Sequence, residues 1–369
     1  MFIFLKKSIM SEKRTRIVLD AMGGDFAPHA VVEGAVLACR SYPVDITLVG
    51  NKEAIMPHLR RLNATAGMPI IVHHTHQVVD MADNPLDVVR KKKHSSIHVG
   101  LELVHEKKGD VFISAGNSGA VASCSLLVLK RISGIDRPAI AAIIPTLTAH
   151  VVIADAGANS TVKPFNLVQF AIMASAFCRL YLNCKKPRVG LLSNGREESK
   201  GTDKIREAHR LLKNSSLHYV GFVEGSDVFR NAADVVVCDG FSGNVLLKTA
   251  EGIAENMSAA LKQESKKNLL MMIAALLAKK AFVRLRQRFD YSEYGGAPLL
   301  GVNAPVIICH GRSNPQAIKN AVKTGMKYAQ SNAVNSMKHD LEVNRDLNLQ
   351  GKKPSFIKRM LQDIYSKRD

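Results

Sequence analysis

Short apolar runs alternate with longer amphipathic stretches along nearly the whole chain. Runs such as VVVC, VVIA and VIIC are almost continuously apolar, which is typical of strands buried on both faces of a sheet. Strands are predicted at Arg16–Asp20, Asp45–Gly50, Pro69–His74, Asp110–Ala115, Ala139–Pro145, His150–Asp155, Arg188–Ser193, Leu217–Val223, Asp234–Asp239 and Pro305–His310. Helical periodicity predicts helices between them, for example at Ala30–Arg40, Ser118–Arg131, Phe165–Leu182, Ser199–Lys213 and Asn244–Lys262.

This alternation indicates an α/β fold with a mainly parallel sheet covered by helices on both faces. No stretch of linker composition divides the chain, so residues 16–350 are expected to form one interwoven α/β catalytic domain with two lobes. Residues 1–15 are expected to be an unstructured extension, and Met10 is an alternative start. Their apolar residues precede the positive ones, which is the reverse of a signal peptide. Residues 351–369 are expected to form a basic tail or helix.

The segment 262–289 differs from the rest because it combines many Lys and Arg residues with a ten-residue apolar core, Leu269–Ala278. A bilayer span needs about 20 apolar residues, so this segment is not expected to cross a membrane. It is either a helical element packed on the fold or on a dimer mate, or a basic and apolar element lying on an anionic membrane surface. The candidate membrane residues are Leu269, Leu270, Ile273, Leu276 and Leu277.

The net charge of the chain favours anionic partners but does not identify which kind. The 369 residues include 51 Lys and Arg against 32 Asp and Glu, a formal net charge of +19. Such a surface attracts nucleic acids, anionic membranes, acidic proteins or phosphorylated substrates. Aromatic residues make up only 5% and Trp is absent, which argues against a stacking platform for nucleic acid. The six cysteines form no CxxC pair and are typical of reduced thiols in a cytoplasmic protein.

Turns rich in Gly, Asn, Ser and Asp follow directly after many of the predicted strands. Glycine lets backbone N–H groups approach an anion closely, and the N-terminus of the following helix adds partial positive charge. In a doubly wound sheet these turns meet at one edge, so we expect them to form one phosphate site. The turns are Asp20–Asp25, Ser114–Gly119, Asp155–Asn159, Ser193–Glu197, Asp239–Asn244, Tyr294–Pro298 and His310–Asn314.

Any single turn of this kind could simply end a strand and cap a helix. Ser242, for instance, is a plausible N-cap ahead of Val245–Ala250. The shared composition of the turns favours a common site, with nearby lysines balancing charge and Asp239 orienting a lysine or accepting a proton. The catalytic candidates are Lys163, Lys200, Asp239 and Lys248. The candidates for binding phosphate or substrate are Asp20, Gly23, Gly24, Asp25, Gly116, Asn117, Ser118, Asn159, Asn194, Ser242, Gly243, Asn244, Gly295, Gly296 and His310.

Several other kinds of site are disfavoured. The chain has no GxxxxGK[ST] loop for a nucleoside triphosphate, no GxGxxG after the first strand and no GxSxG elbow. His73, His74 and His76 suggest a metal, but adjacent residues of a strand point to opposite faces and no further ligand spacing completes a site. We therefore expect neither a metal nor a cofactor.

The glycine-bearing turns together resemble a known family. The resemblance runs from about Arg16 to Asn335, and its combination of motifs is highly specific. It rests on Leu19–Asp25, Ser114–Ala120, Asp155–Asn159, Asp239–Lys248 and Tyr294–Gly301. These segments are similar to the bacterial phosphate acyltransferase family, PlsX.

The resemblance implies a Rossmann-like three-layer α/β/α sandwich, related to isopropylmalate dehydrogenases and phosphate acetyltransferases. It implies transfer of a long-chain fatty acyl group from acyl carrier protein to inorganic phosphate, giving acyl phosphate for phospholipid synthesis. It also implies a cytoplasmic homodimer associated peripherally with the membrane, and a downstream glycerol-3-phosphate acyltransferase that uses the product. An acidic carrier protein would be attracted by the net charge of +19. No nucleic-acid partner is expected.

For the chemistry we expect direct attack of phosphate on the thioester within a ternary complex, with phosphate held by Gly116–Ser118 and Phe241–Asn244. An acyl-enzyme on Ser242 is the rival mechanism, although no adjacent base is visible in the sequence. Two other functions stay open. One is a short-chain phosphate acetyl- or butyryltransferase that uses coenzyme A, and the other is a non-catalytic basic module that binds membranes or nucleic acid.

Overall fold

The computed structural model describes residues 14–146, 148–265, 272, 276–278 and 295–346. Its elements follow one another as β1 (Thr15–Asp20), α1 (His29–Ser41), β2 (Val44–Gly50), α2 (Lys52–Arg61), β3 (Ile70–His74), α3 (Pro85–Lys91), α4 (Ser96–His105), β4 (Val111–Ser114), α5 (Ser118–Val128), β5 (Ala139–Pro145), β6 (His150–Ala154), α6 (Pro164–Tyr181), β7 (Arg188–Leu192), α7 (Asp203–Lys213), β8 (His218–Val223), β9 (Val235–Val237), α8 (Gly240–Glu264), β10 (Ala297–Leu300), β11 (Val306–Ile308), α9 (Pro315–Gln330) and α10 (Ala333–Val343).

The chain forms two compact units. The first unit comprises Met1–Leu129 and Val306–Gln330, and the second comprises Lys130–Pro305 and Ser331–Asp369. The chain therefore leaves the first unit after α5 and returns to it for β11 and α9.

The first unit contains a parallel sheet with the strand order β3-β2-β1-β4-β11. Its central strands carry fully buried side chains such as Leu19, Leu48 and Phe112, which explains their continuous apolar runs. Helices α1 and α9 pack closely because Gly34 has no side chain: a Cβ there would lie 2.5 Å from the Cβ of Ile318. All five strands run in one direction, so the turns after β1, β4 and β11 lie at the same edge of the sheet.

The second unit contains a mixed sheet with the order β10-β5-β6-β9-β7-β8. The pairs β10/β5 and β5/β6 are antiparallel, and the remaining pairs are parallel. Its core includes the buried residues Val151, Ile153, Val228 and Val236. The turns after β6, β9 and β7 lie at one edge because these strands are mutually parallel.

The predicted α/β class is confirmed, and each predicted strand is present. One strand was missed: β10 is four residues long, follows two glycines and contains Pro298, a combination that hides a strand in sequence. Three predicted helix boundaries are wrong. The helix predicted at Ser118–Arg131 ends at Val128, since Lys130 adopts a left-handed conformation with φ of 60°.

The helix predicted from Ser199 begins at Asp203, because Gly201 before it has a φ of +81°. The helix predicted from Asn244 begins four residues earlier, at Gly240, because Asp239 caps it. Within the described part of the chain, no helix has both the length and the apolar character needed to cross a bilayer.

Candidate active site

In the first unit, the turn after β1 is organised by the buried carboxylate of Asp20. One carboxylate oxygen, Oδ2, accepts a hydrogen bond from Ser114 Oγ at 2.6 Å, and Oδ1 accepts from the backbone N–H of Met22 at 3.1 Å. Burial raises the pKa of the Asp20 carboxyl above its ordinary value, and these hydrogen bonds partly oppose that shift. The buried Asp20 carboxylate therefore holds the turn in shape through hydrogen bonds.

The glycines of this turn are required by close packing. A Cβ on Gly23 would lie 2.6 Å from the backbone nitrogen of Gly116, and Gly24 has a φ of +105°. The N–H of Asp25 donates to the carbonyl of Gly311 at 2.8 Å. These contacts hold the turns after β1, β4 and β11 together, and binding of phosphate by Gly23, Gly24, Asp25 and Gly116 stays a prediction.

The N-terminus of α5 follows in the same cluster. Asn117 is its N-cap: Oδ1 accepts from the N–H of Ala120 at 3.0 Å, while Nδ2 donates to the carbonyls of Met81 and Asp83, both at 3.0 Å. The Asn117 amide is therefore occupied by the fold. The N–H groups of Ser118 and Gly119 and the exposed hydroxyl of Ser118 have no hydrogen-bond partner among the described residues.

His310 borders this cluster from the turn after β11. Its Nδ1 accepts the N–H of Arg312 at 3.1 Å, so the neutral imidazole carries its proton on Nε2. Asp25 is exposed beside it in the first unit, near Gly311.

In the second unit, the turn after β6 is folded around the carboxylate of Asp155. Its Oδ1 accepts from the N–H groups of Ile140, Gly157 and Ala158 at 3.0, 3.1 and 2.9 Å. Its Oδ2 accepts from the N–H of Asn159 at 2.7 Å and from Asn159 Nδ2 at 2.8 Å. Burial raises the pKa of Asp155 against these hydrogen bonds. Asn159 itself is buried and bonded, so its amide is part of the turn's framework.

The N-terminus of α8 is pressed against this turn. The N–H of Gly240 donates to the carbonyl of Asn159 at 2.8 Å, and a Cβ on Gly243 would lie 2.0 Å from the carbonyl oxygen of Asp155. Asn244 faces Gly157, at 3.8 Å from the position a Cβ would take there. The predicted residues Asn159, Gly243 and Asn244 therefore form one cluster.

Asp239 is the N-cap of α8, whereas the structural alternative weighed from the sequence gave that role to Ser242. Its Oδ1 accepts from the N–H of Ser242 at 2.8 Å and its Oδ2 accepts from Ser242 Oγ at 3.0 Å. The sequence showed no base adjacent to Ser242, but the structure places this carboxylate within hydrogen-bond distance of its hydroxyl. The negative cap also makes this helix N-terminus less favourable for a second anion.

The predicted lysines are exposed. Lys248 Nζ pairs with Glu251 Oε2 at 2.7 Å, and Lys163 precedes α6 with its backbone N–H bonded to Asn166 Oδ1 at 2.9 Å. Lys200 lies on the turn after β7, where Asn194 Oδ1 accepts from the N–H of Gly201 at 2.9 Å. None of these described contacts directs a lysine ammonium at the turns, so their role in charge balance stays a prediction.

The remaining predicted residues fall at the edges of the described chain. Gly295 and Gly296 have φ values of 67° and 93° and lead into β10, a conformation that favours glycine. Leu276 and Leu277 are 70% and 82% exposed. The predicted membrane residues Leu269, Leu270 and Ile273 lie outside the described residues, as does most of the segment 262–289.

Two residues that organise the clusters were not among the predicted site residues. Ser114 joins Asp20 to the N–H of Gly116, which its Oγ accepts at 3.0 Å, and Asp155 holds the turn after β6. Both lie where a strand passes into a quoted turn, which is the signal that could have singled them out. Within the part of the chain that the structure describes, no three His, Cys, Asp or Glu residues are grouped as metal ligands.

Known protein structures show which fold the chain has, and sequence relatives show which family it belongs to. A phosphotransacetylase from Streptococcus pyogenes matches with a TM-score of 0.58 at 18% identity, covering 87% of this chain and 95% of that one. The EutD phosphotransacetylase from Staphylococcus aureus matches with a TM-score of 0.54 at 17% identity, over 86% and 94% of the two chains. At these identities the similarity establishes the fold alone.

Sequence relatives are much nearer. The family described as "Fatty acid synthesis protein" matches residues 15–336. A phosphate acyltransferase of Geotalea daltonii is 49% identical over 335 residues, covering 91% of this chain and 96% of the relative. The phosphate acyltransferase of Geobacter sulfurreducens is 47% identical over 328 residues, or 89% and 94%.

The α/β fold carries glycine-bearing turns at its strand ends, and the sequence relatives define the class, an acyltransferase. The glycine-bearing turns all lie within the matched region. The chain belongs to the bacterial phosphate acyltransferase (PlsX) family. The predicted family and the predicted enzyme class, an acyltransferase, are therefore confirmed.

Proposed function

We propose that this protein transfers a long-chain fatty acyl group from acyl carrier protein to inorganic phosphate, yielding acyl phosphate for phospholipid synthesis. An oxygen of phosphate attacks the carbonyl carbon of the thioester, a C–O bond forms and the C–S bond breaks. The proton of hydrogen phosphate passes to the departing thiolate, so the products are acyl phosphate and the free thiol of the carrier.

The observation that carries this proposal is the N-terminus of α5. Its cap, Asn117, is neutral, and the N–H groups of Ser118 and Gly119 have no partner among the described residues. Free N–H groups at a helix N-terminus attract a dianion, and the α5 cap adds no opposing charge. We therefore place phosphate at Gly116–Ser118 in preference to Phe241–Asn244, where the Asp239 carboxylate would repel it.

Lys163, Lys200 and Lys248 are the proposed sources of positive charge. Lys248 pairs with Glu251, whose side chain is partly buried, and an ion pair near the surface contributes only about 1 kcal/mol, so the pair can be broken when Lys248 binds an anion. Asn244, beside Gly157, is the proposed side-chain donor of its cluster.

Direct transfer is preferred over an acyl-enzyme on Ser242. Asp239 Oδ2 accepts from the Ser242 hydroxyl at 3.0 Å, while Oδ1 is committed to capping α8 through the backbone N–H of Ser242. A carboxylate is also a weak base toward a serine hydroxyl, and no imidazole takes part in these contacts. Acid quenching during turnover with radiolabelled acyl donor should leave no labelled protein, and recovery of labelled Ser242 would overturn direct transfer.

The function is tested with purified protein, decanoyl or palmitoyl carrier protein and phosphate. We expect phosphate-dependent release of carrier thiol together with acyl phosphate, trapped as its hydroxamate. Loss of release in the pair of variants Asn244→Ala and Lys248→Ala would support their assignment, and normal release would remove both residues from the site. A strong preference for acetyl- or butyryl-coenzyme A would instead favour the short-chain alternative. Release that does not depend on phosphate would refute the proposal.

We further propose that α8 pairs with a second copy of the chain. Its exposed apolar side chains recur at multiples of four residues, and the buried residues of this helix are the two glycines of its first turn. The exposed members are Phe241, Val245, Ile253, Met257 and Leu261. Beyond the helix, the exposed Met272, Leu276 and Leu277 support peripheral binding to an anionic membrane surface by a cytoplasmic protein.

A further inference from the structure

The segment between β3 and α4 is fixed beside the glycine-bearing turns of the first unit. Asn117 Nδ2 donates to the carbonyls of Met81 and Asp83 at 3.0 Å, and Lys92 Nζ closes the segment by bonding Val78 O at 2.9 Å and Asp83 Oδ2 at 2.6 Å. The side chain of Met81 reaches Gly311, where a Cβ would lie 3.0 Å from Met81 Cε. The segment is therefore a built part of the rim of this cluster.

Its outer surface carries apolar side chains that the fold does not cover. Met81 is 48% exposed and Leu86, in the first turn of α3, is 63% exposed. An isolated exposed leucine needs no explanation. Two such residues on a segment anchored to the cap of α5 place apolar surface at the edge of the proposed phosphate site.

Some charged side chains of the segment are paired with an opposite charge and others are not. Asp83 pairs with Lys92 at 2.6 Å and Asp87 pairs with Lys91 at 3.0 Å. Arg90 and Lys93 are exposed and have no acidic partner among the described residues. The exposed carboxylate of Asp80, which has no cationic partner among the described residues, lies at the opposite end, beside Met81. The end of α3 is thus a positive surface next to apolar side chains, and it complements a partner that presents carboxylates around an apolar contact.

We propose that the acidic protein carrying the acyl thioester docks on this α3 surface, defined by Met81, Leu86, Arg90 and Lys93. Arg90 and Lys93 meet carboxylates of the carrier, and Leu86 and Met81 receive its apolar side chains. The inference rests on the proposed function, in which the donor is acyl carrier protein. Docking here brings the thioester to the cluster that holds phosphate at Gly116–Ser118.

The test compares two donors with the same acyl group, decanoyl carrier protein and decanoyl-pantetheine, an uncharged small thioester. In the variant Arg90→Glu/Lys93→Glu we expect kcat/KM for the carrier-borne donor to fall about 10- to 50-fold, mainly through KM. We expect less than a twofold change for decanoyl-pantetheine. Raising NaCl from about 50 to 300 mM should slow the wild type with the carrier donor and affect the variant much less.

A matched control, Lys185→Glu/Lys204→Glu, makes the same change in net charge on exposed lysines of the second unit. It should keep most of the carrier-dependent rate. An equal loss with both donors, no loss with either, or an equal loss in the control would overturn the docking proposal. A melting temperature of the variant within about 2 °C of the wild type excludes unfolding as the cause.

A direct binding measurement tests the docking proposal independently of the proposed catalytic function. Fluorescence anisotropy of dye-labelled carrier protein measures docking without turnover. Binding to the wild type, weakened at least tenfold in Arg90→Glu/Lys93→Glu and also in Leu86→Asp, would support the α3 surface even if no phosphate-dependent thiol release occurred. Unchanged binding in both variants would refute it, whatever the activity.

Discussion

Replacing Gly243 by alanine should displace the N-terminus of α8. The added Cβ would lie 2.0 Å from the carbonyl oxygen of Asp155, whereas ordinary contact begins near 3.4 Å. Helix and turn must therefore separate by about 1.4 Å. The turn cannot easily yield, because five hydrogen bonds to the Asp155 carboxylate hold it. Overpacking of this kind costs about 1–3 kcal/mol.

The same displacement should reduce catalysis. A shift of about 1 Å in a positioned group costs on the order of 100-fold in rate, so we expect kcat for phosphate-dependent thiol release to fall by about that factor. The matched control is Gly252→Ala on the same helix, where a Cβ meets nothing within 4 Å. The control should raise the melting temperature slightly, since alanine is favoured over glycine in a helix by about 0.8–1 kcal/mol.

Thermal melting and initial rates of both variants are the measurements. If Gly243→Ala has the melting temperature and the kcat of the wild type, the close approach of α8 to the Asp155 turn contributes to neither stability nor catalysis. The assignment of Gly243 to a positioning contact would then be wrong.

Three further outcomes are expected. Burial raises the pKa of Asp20 above its ordinary value of 3.8, so its contribution to stability is present below that pH and is lost as pH rises through the folded pKa. The melting temperature of the wild type minus that of Asp20→Asn should therefore decrease as the pH is raised from about 3.5 to 7. An increase would contradict the raised pKa of Asp20. Leu276→Glu/Leu277→Glu should abolish co-sedimentation with anionic vesicles at unchanged melting temperature, whereas Val343→Glu, also exposed, should not. Met257→Glu should convert a dimer into a monomer by light scattering, and persistence of the dimer would exclude the α8 face as its interface.

Most of the fold was accessible from local pattern. Strands buried on both faces produce continuous apolar runs, and glycines that need a positive φ or a close approach mark the turns that follow them. The element that escaped, β10, is short and contains a proline, so its pairing with β5 depends on a neighbour more than 150 positions earlier in the chain. The helix starts at Asp203 and Gly240 were misjudged because caps depend on backbone conformation more than on residue type.

The candidate site was predicted less completely. The sequence predicted Asn117 and Asn159 as phosphate- or substrate-binding residues and Asp239 as a catalytic residue, because their side chains suit anions or protons. The structure shows these groups engaged in holding turns and capping helices. Which donors stay free is a property of the folded chain, since each polar group is satisfied by whichever residue the fold brings to it.

The sequence by itself determined the α/β class, the positions of the turns and the family. The periodicity of apolar residues and the need for glycine in tight turns depend on neighbouring residues, so both can be read from the order of residues. Only the tertiary structure decided that Ser114 reaches Asp20 across 94 positions and that Asp239 places a negative charge at α8. It also decided that α5 keeps a neutral cap and first N–H groups that have no partner among the described residues. Hydrogen-bond geometry and charge placement arise from contacts between distant segments, and residue order alone does not specify which distant groups will meet.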